Sequence, residues 1–200
     1  MVTREKLTRI FLWILVLFGG PVVGAKLFDL VVLAGAWSAN PPASLALLPY
    51  GDAWPVDTGL FFIPFSAATQ VAGFGALIAG WRTPWHYRWM LCMPSVGSLL
   101  LLVLTVLAFW PMNYALYHHA IHVKDHITDA ESIAMAHRWV MLDWVRVGCA
   151  SAIYVIALRA LTLPYPQAVV PRDPPVVRVL LGLALLGVAA FIVWFVSNLF

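Results

Sequence analysis

Charge is what this sequence has least of. Only 10% of its 200 residues are Asp, Glu, Lys or Arg, against about 25% in a soluble domain. In contrast, 62% are hydrophobic and the mean hydropathy is +0.89. That shortage excludes an ordinary water-soluble domain and points to an integral membrane protein, with one domain, 1–200, as the natural count at this length. Cysteine is scarce as well. Cys92 and Cys149 each sit in an apolar segment and no CxxC pair occurs, so neither a disulfide framework nor a zinc motif is supported, and both read as small packed residues. The net charge is +3 and the pI about 9.1, yet no basic run is interleaved with aromatics. The Lys and Arg stand at segment ends, where membrane topology places them, and nucleic acid is not an expected partner. There is no HExxH, no internal repeat, and none of the paired broken-helix pattern that inverted-repeat transporters carry.

What the chain does have is long apolar runs. After a short basic start (Arg4, Lys6, Arg9) comes Ile10 to Ala25. Val22-Val23-Gly24-Ala25 would serve as a signal-peptide cleavage site, but apolar character resumes beyond Lys26 and Asp29, which favours a retained first helix. Lys26 and Asp29, three apart, share a helix face; they form either a pair near the membrane surface or one facing the bundle interior. Residues 37–58, rich in Pro, Trp, Ala and Gly, read as an extramembrane loop, with Trp37 and Trp54 suited to the headgroup region. A second span runs from Gly59 to Gly80, with Gln70 its one strongly polar residue and Gly73, Gly75 and Gly80 permitting close helix approach. An aromatic and basic turn, Trp81 to Trp89, precedes a third span of about Met90 to Trp110. Thr128 and Glu131 have capping-box spacing, which starts a fourth helix that continues to about Leu161. A proline-rich stretch then leads to an uncharged Val179 to Phe200. The expected fold is therefore all-α: a membrane-embedded helix bundle of four core helices (10–160) plus one additional C-terminal transmembrane helix (176–200). The basic sets around 4–9, 82–88 and 159–178 fall on one side if the N-terminus is cytoplasmic. The histidine segment then faces the opposite compartment.

The stretch from Pro111 to Arg146 organises the rest. It holds five of the six histidines and puts Arg138, Asp143 and Arg146 into an otherwise apolar helix. Ionisable groups are costly in a bilayer and mark function by default. If 113–126 is helical, Tyr114, His118, His122 and Asp125 line one face with His126 beside it. His118 and His122, at i and i+4, then form a candidate site for one metal, since imidazole suits copper, zinc, iron or nickel, completed by Asp125, His126 or His137. The competing reading is a wet interfacial helix whose histidines meet headgroups or water. In the fourth helix, Trp139, Asp143, Arg146, Ala150 and Tyr154 share a stripe. Asp143 and Arg146 are spaced to pair. Either the pair locks the helix into the bundle, or Arg138 or Arg146 faces a pocket and binds an anionic or enolate oxygen. Asn113 is a hydrogen-bonding group on the far side of Pro111, or else a helix cap.

Pro111-x-Asn113 after an apolar helix, followed by Arg138-Trp139 and Arg146 in the next, resembles the anthrone-oxygenase-like family of small integral membrane proteins over residues 10–160. The resemblance implies a four-helix core and oxidation of polyphenolic anthrones to anthraquinones with dioxygen, without an organic cofactor. It carries Asn113, Arg138, Trp139 and Arg146 over as site residues. The histidine cluster and the last helix depart from the family pattern. On this reading a hydrophobic phenol enters from the bilayer, His122 or His137 removes a proton, and Arg146 or Arg138 stabilises the oxyanion, with Trp139, Asp143 and Tyr114 lining the substrate site. A metal variant places copper or iron on His118 and His122. The alternative is a non-catalytic accessory subunit, or a metal- or haem-binding module, in a homo-oligomer or a larger membrane complex.

Overall fold

The computed structural model describes residues 3–49, 54, 56, 58–122, 127–166, 176 and 179. Among these there is no strand. Four helices are long and apolar enough to cross a membrane: α1 (Arg4–Trp37), α2 (Gly59–Ala79), α3 (Trp85–Ala120) and α4 (Asp129–Thr162). The expected fifth span, 176–200, lies outside the described residues apart from Val176 and Val179. At 1.5 Å per residue, helices of 34 to 36 residues run to about 50 Å, well beyond the ~30 Å hydrocarbon core.

Two helices run well past their first apolar stretch. α1 continues past the Ile10–Ala25 run to Trp37, so Lys26 and Asp29 lie inside one helix, as their shared face implies. α3 starts at Trp85 and runs through Pro111 to Ala120, where the sequence predicts a stop at Trp110. Proline lacks an N–H and its ring collides with the carbonyl four residues back. The ladder absorbs this by widening into π turns at Met93–Gly97, around Pro94, and at Thr105–Phe109, just before Pro111. Such turns re-aim the residues they contain and recur at functional sites. A third spans Asp29–Leu33.

By internal contacts the chain forms two compact units, Met1–Val22 with Phe62–Leu99 and Ser151–Phe200, and Val23–Phe61 with Leu100–Ala150. In the first, Phe11, Leu12, Leu15, Ala72, Ala76, Tyr87, Leu91, Ala157 and Ala160 form the core. The expected close approach at the glycines of α2 is present. A Cβ on Gly75 would sit 2.5 Å from the Phe11 ring, and one on Gly80 would overlap Leu91. Phe11 is fully buried and has nowhere to retreat. Gly75→Ala is therefore expected to lower stability by about 1–3 kcal/mol through overpacking. Denaturant titration in micelles checks this, and Phe11→Leu in the same chain should restore part of the loss.

The basic N-terminus does more than set topology. Arg4 donates to Ala79 O at the end of α2 (3.0 Å). Arg9 donates to Leu161 O (2.6 Å) and Leu163 O (3.0 Å) at the end of α4. Helix-terminal carbonyls have no partner within their own helix, and cationic donors there also complement the dipole. Gln70 finds its use here too, donating to Ser95 O (2.9 Å), a carbonyl inside a π turn.

In the second unit, Ala34, Trp37, Leu45, Leu48, Phe109, Met112, Leu116, Ala136 and Trp139 form the core. The assignment of Trp37 to the headgroup region is corrected: the indole is 1% exposed and packs edge-on against Trp139. Because α1 extends to Trp37, that ring ends on a helix among apolar neighbours and not in a loop at the interface.

Candidate functional site

All the site geometry lies in the second unit, and it starts from α4. The capping box is present as expected: the Thr128 N–H donates to Glu131 Oε2 (2.7 Å), and the Glu131 N–H donates to Thr128 Oγ1 (3.3 Å). From that start, 3.6-residue periodicity turns Trp139, Asp143 and Arg146 inward together, all three buried. Asp143 lies 14 residues beyond Asp129, about 21 Å along the axis, near the middle of the helix.

Arg146 Nε and Nη2 both meet Asp143 Oδ1 at 2.5 Å. The pairing predicted from the i, i+3 spacing is there, but both nitrogens converge on one oxygen instead of forking across two. Asp143 Oδ2 is buried with no hydrogen-bond partner among the described residues. Arg146 Nη1 reaches Thr105 Oγ1 (3.3 Å) on α3. Its guanidinium lies over the Phe109 ring, 3.7 Å from the centroid, and 5.7 Å from that of Trp139. Thr105 and Phe109 are the two ends of one π turn, so the widened backbone presents both to the same cation. On α1, Lys26 Nζ is 3.7 Å from Asp29 Oδ2, and Asp29 is buried. Of the two readings of that pair, the structure supports the interior one, and Asp143 and Arg146 lie close enough to act on both groups electrostatically. Two cations and two carboxylates thus share the interior with no net charge, the condition under which buried ions are tolerable.

Trp139 links this cluster to the surface. Its ring meets Trp37 edge-on (5.1 Å, 79°) and Phe109 edge-on (5.4 Å, 84°). Its indole N–H donates to Asn113 Oδ1 at 2.7 Å. An indole nitrogen only donates, so this bond settles the orientation of the Asn113 amide and leaves Nδ2–H2 for another acceptor. Asn113 in turn lines a shallow, open cleft of about 220 Å³ with Trp110, Tyr114 and Tyr117, two of which, Trp110 and Tyr114, are exposed. These are positions i, i+3, i+4 and i+7 of α3, one helix face. The His118 ring packs on Tyr114 (centroids 4.0 Å apart) and edge-on to Tyr117 (5.7 Å, 85°).

The expected sites are therefore divided. The structure brings Asn113, Tyr114, His118, Trp139, Asp143 and Arg146 into one unit with direct contacts running between them. It leaves His122, His137 and Arg138 exposed. His118 and His122 do not share a helix face. α3 ends at Ala120, Ile121 leaves helical geometry, and His122 takes φ 56°, the left-handed conformation common just past a helix C-terminus. Asp125 and His126 lie outside the described residues. Among the described residues no three His, Cys, Asp or Glu side chains gather to hold a metal. His119 instead meets Asp129 (Nε2 to Oδ1, 3.1 Å), a contact between the end of α3 and the start of α4. Sequence reasoning missed Thr105, Phe109 and Tyr117. The helical spacing of Trp110, Asn113, Tyr114 and Tyr117 would have pointed to the cleft had α3 been carried past Pro111.

The described residues define a class: an all-helical protein with four helices long and apolar enough to cross a membrane, carrying an aromatic cleft and a buried charge cluster. No family model, curated protein or solved structure matches the chain.

Proposed function

We propose that the chain is a membrane-embedded oxygenase of the anthrone-oxygenase-like type, acting on a flat, hydrophobic phenol that reaches it through the bilayer. The observation that carries this reading is the shallow aromatic cleft lined by Trp110, Tyr114 and Tyr117, with Asn113 also in its lining and the Asn113 amide oxygen engaged by Trp139. Its volume, about 220 Å³, falls below the 300–1,000 Å³ usual for drug-sized ligands and suits a planar ring system or one edge of it. Aromatic walls favour such a ring through offset or edge contacts. In the reaction, an acidic ring methylene reacts with dioxygen: two C–H bonds break, one oxygen atom stays as the new carbonyl and the other leaves as water. Electrons balance with no further reductant. Asn113 Nδ2–H donates to the substrate oxygen that gains charge when a proton leaves, the electrostatic help that dominates many such reactions. His118, half-buried against the cleft wall, is the best-placed base, since His122 and His137 are exposed. Histidine titrates near neutrality and suits that role.

In the same reading the N-terminus is cytoplasmic, because Arg4, Lys6, Arg9, Arg82, Arg88 and Arg159 would then share one side. The histidine segment faces the other side, and a fifth helix over 176–200 completes the membrane region. The test is Asn113→Ala in detergent or nanodiscs with an anthrone as probe, following anthraquinone absorbance and oxygen uptake. Loss of one oxyanion donor lowers kcat by about a hundredfold or more, with the circular dichroism spectrum unchanged. Native turnover in the variant would sink the assignment.

A further inference from the structure

The Asp143–Arg146 pair is not in the lining of the cleft, yet it leans on the residue that orients it. Arg146 is held at three points: by Asp143 Oδ1, by Thr105 Oγ1 and by the face of Phe109. Phe109 carries that cation on one side and packs edge-on against Trp139. Trp139 is also gripped by Trp37, so its indole has little freedom, and its one polar atom is spent on Asn113. We infer that Asp143 and Arg146 are positioning residues for the cleft: the stacked guanidinium sets where the Trp139 indole N–H points, and through it which side of the Asn113 amide faces a phenolic oxygen.

This rests on the function proposed above, but its physical core does not need a substrate. Cation–aromatic attraction depends on a flat, weakly hydrated cation over a ring face. A lysine at 146 keeps the charge but not the plate or the fork. Asp143 contributes by fixing the guanidinium through two bonds to one oxygen. Without it the cation loses its two charge-assisted bonds and keeps the Thr105 hydroxyl and the aromatic rings.

The experiment uses the full chain in micelles with nitrogen-15-labelled tryptophan, and reads the indole N–H resonance of Trp139, assigned by its disappearance in Trp139→Phe. Single loss of Arg146 strands a buried carboxylate and weakens the fold, so the main variant is Asp143→Leu with Arg146→Met, which removes both charges at similar bulk. The Trp139 resonance is expected to leave its native position toward the one seen in Asn113→Ala. With an anthrone, kcat is expected to fall by about a hundredfold, the scale of a small misplacement of a reacting group, with KM changed less. Arg146→Lys should not restore either. An unmoved resonance in the double variant overturns the inference, and so does a moved resonance with native kcat. A moved resonance in a protein whose native form turns over no anthrone leaves the positioning role standing and removes the proposed reaction.

Discussion

Replacing Arg146 with methionine lowers the unfolding free energy by about 3–5 kcal/mol, the cost of stranding one member of a buried ion pair. Asp143 is 0% exposed and Oδ2 already lacks a partner among the described residues, so removing Arg146 takes away both bonds that Oδ1 accepts. The same physics makes the companion result distinctive. Asp143→Leu combined with Arg146→Met removes both charges and their desolvation, and such paired apolar replacements are often neutral or stabilising by about 1–4 kcal/mol. Unfolding of the native chain and the three variants in mixed micelles measures the cycle. A coupling near zero between 143 and 146 would contradict the geometry, because residues in direct contact couple by about 0.5–3 kcal/mol. A double variant that folds well but has lost the native Trp139 resonance separates the pair's structural role from its positioning role.

Trp139→Ala is expected to cost about 3–5 kcal/mol, the range for removing a large aromatic from a core. Trp139 is 2% exposed and stands between Trp37 and Phe109, so both edge-to-face contacts go with it. The cavity is also slow to collapse: Trp37 and Phe109 are themselves fixed on helices, Phe109 under the guanidinium of Arg146. A smaller change isolates the polar part. Trp139→Phe keeps a ring but removes the donor to Asn113 Oδ1. It should cost about 1–3 kcal/mol, the penalty for an acceptor left without its bond. If Trp139→Ala unfolds like the native chain, the aromatic stack is not a core element.

How much of this was legible beforehand differs between the helices and the site. α2 and α4 are readable almost to the residue, because their limits are local: apolar composition over α2, and a Thr128–Glu131 cap ahead of α4. α3 is not, because Pro111 signals a stop, while a π turn at Thr105–Phe109 absorbs the ring and carries the helix on to Ala120. That error hid the cleft, since Tyr117 and Trp110 share a face only if the helix is continuous. The separation of His118 from His122 has a different cause, the end of α3 at Ala120.

By itself the sequence determined the all-helical, membrane-compatible class, the positions of α2 and α4, the inward stripe of Trp139, Asp143 and Arg146, and the pairing of Asp143 with Arg146. Each follows from composition or from periodicity within one helix, where neighbours in space are three or four residues apart in the chain. Only the tertiary structure decided that Trp37 is core, that Lys26 and Asp29 sit within electrostatic reach of Asp143 and Arg146, that Phe109 and Thr105 receive the guanidinium, and that Asn113 is oriented by Trp139. Those contacts join helices far apart in sequence, and which faces meet depends on side-chain packing and on where each helix widens, neither of which a local pattern encodes.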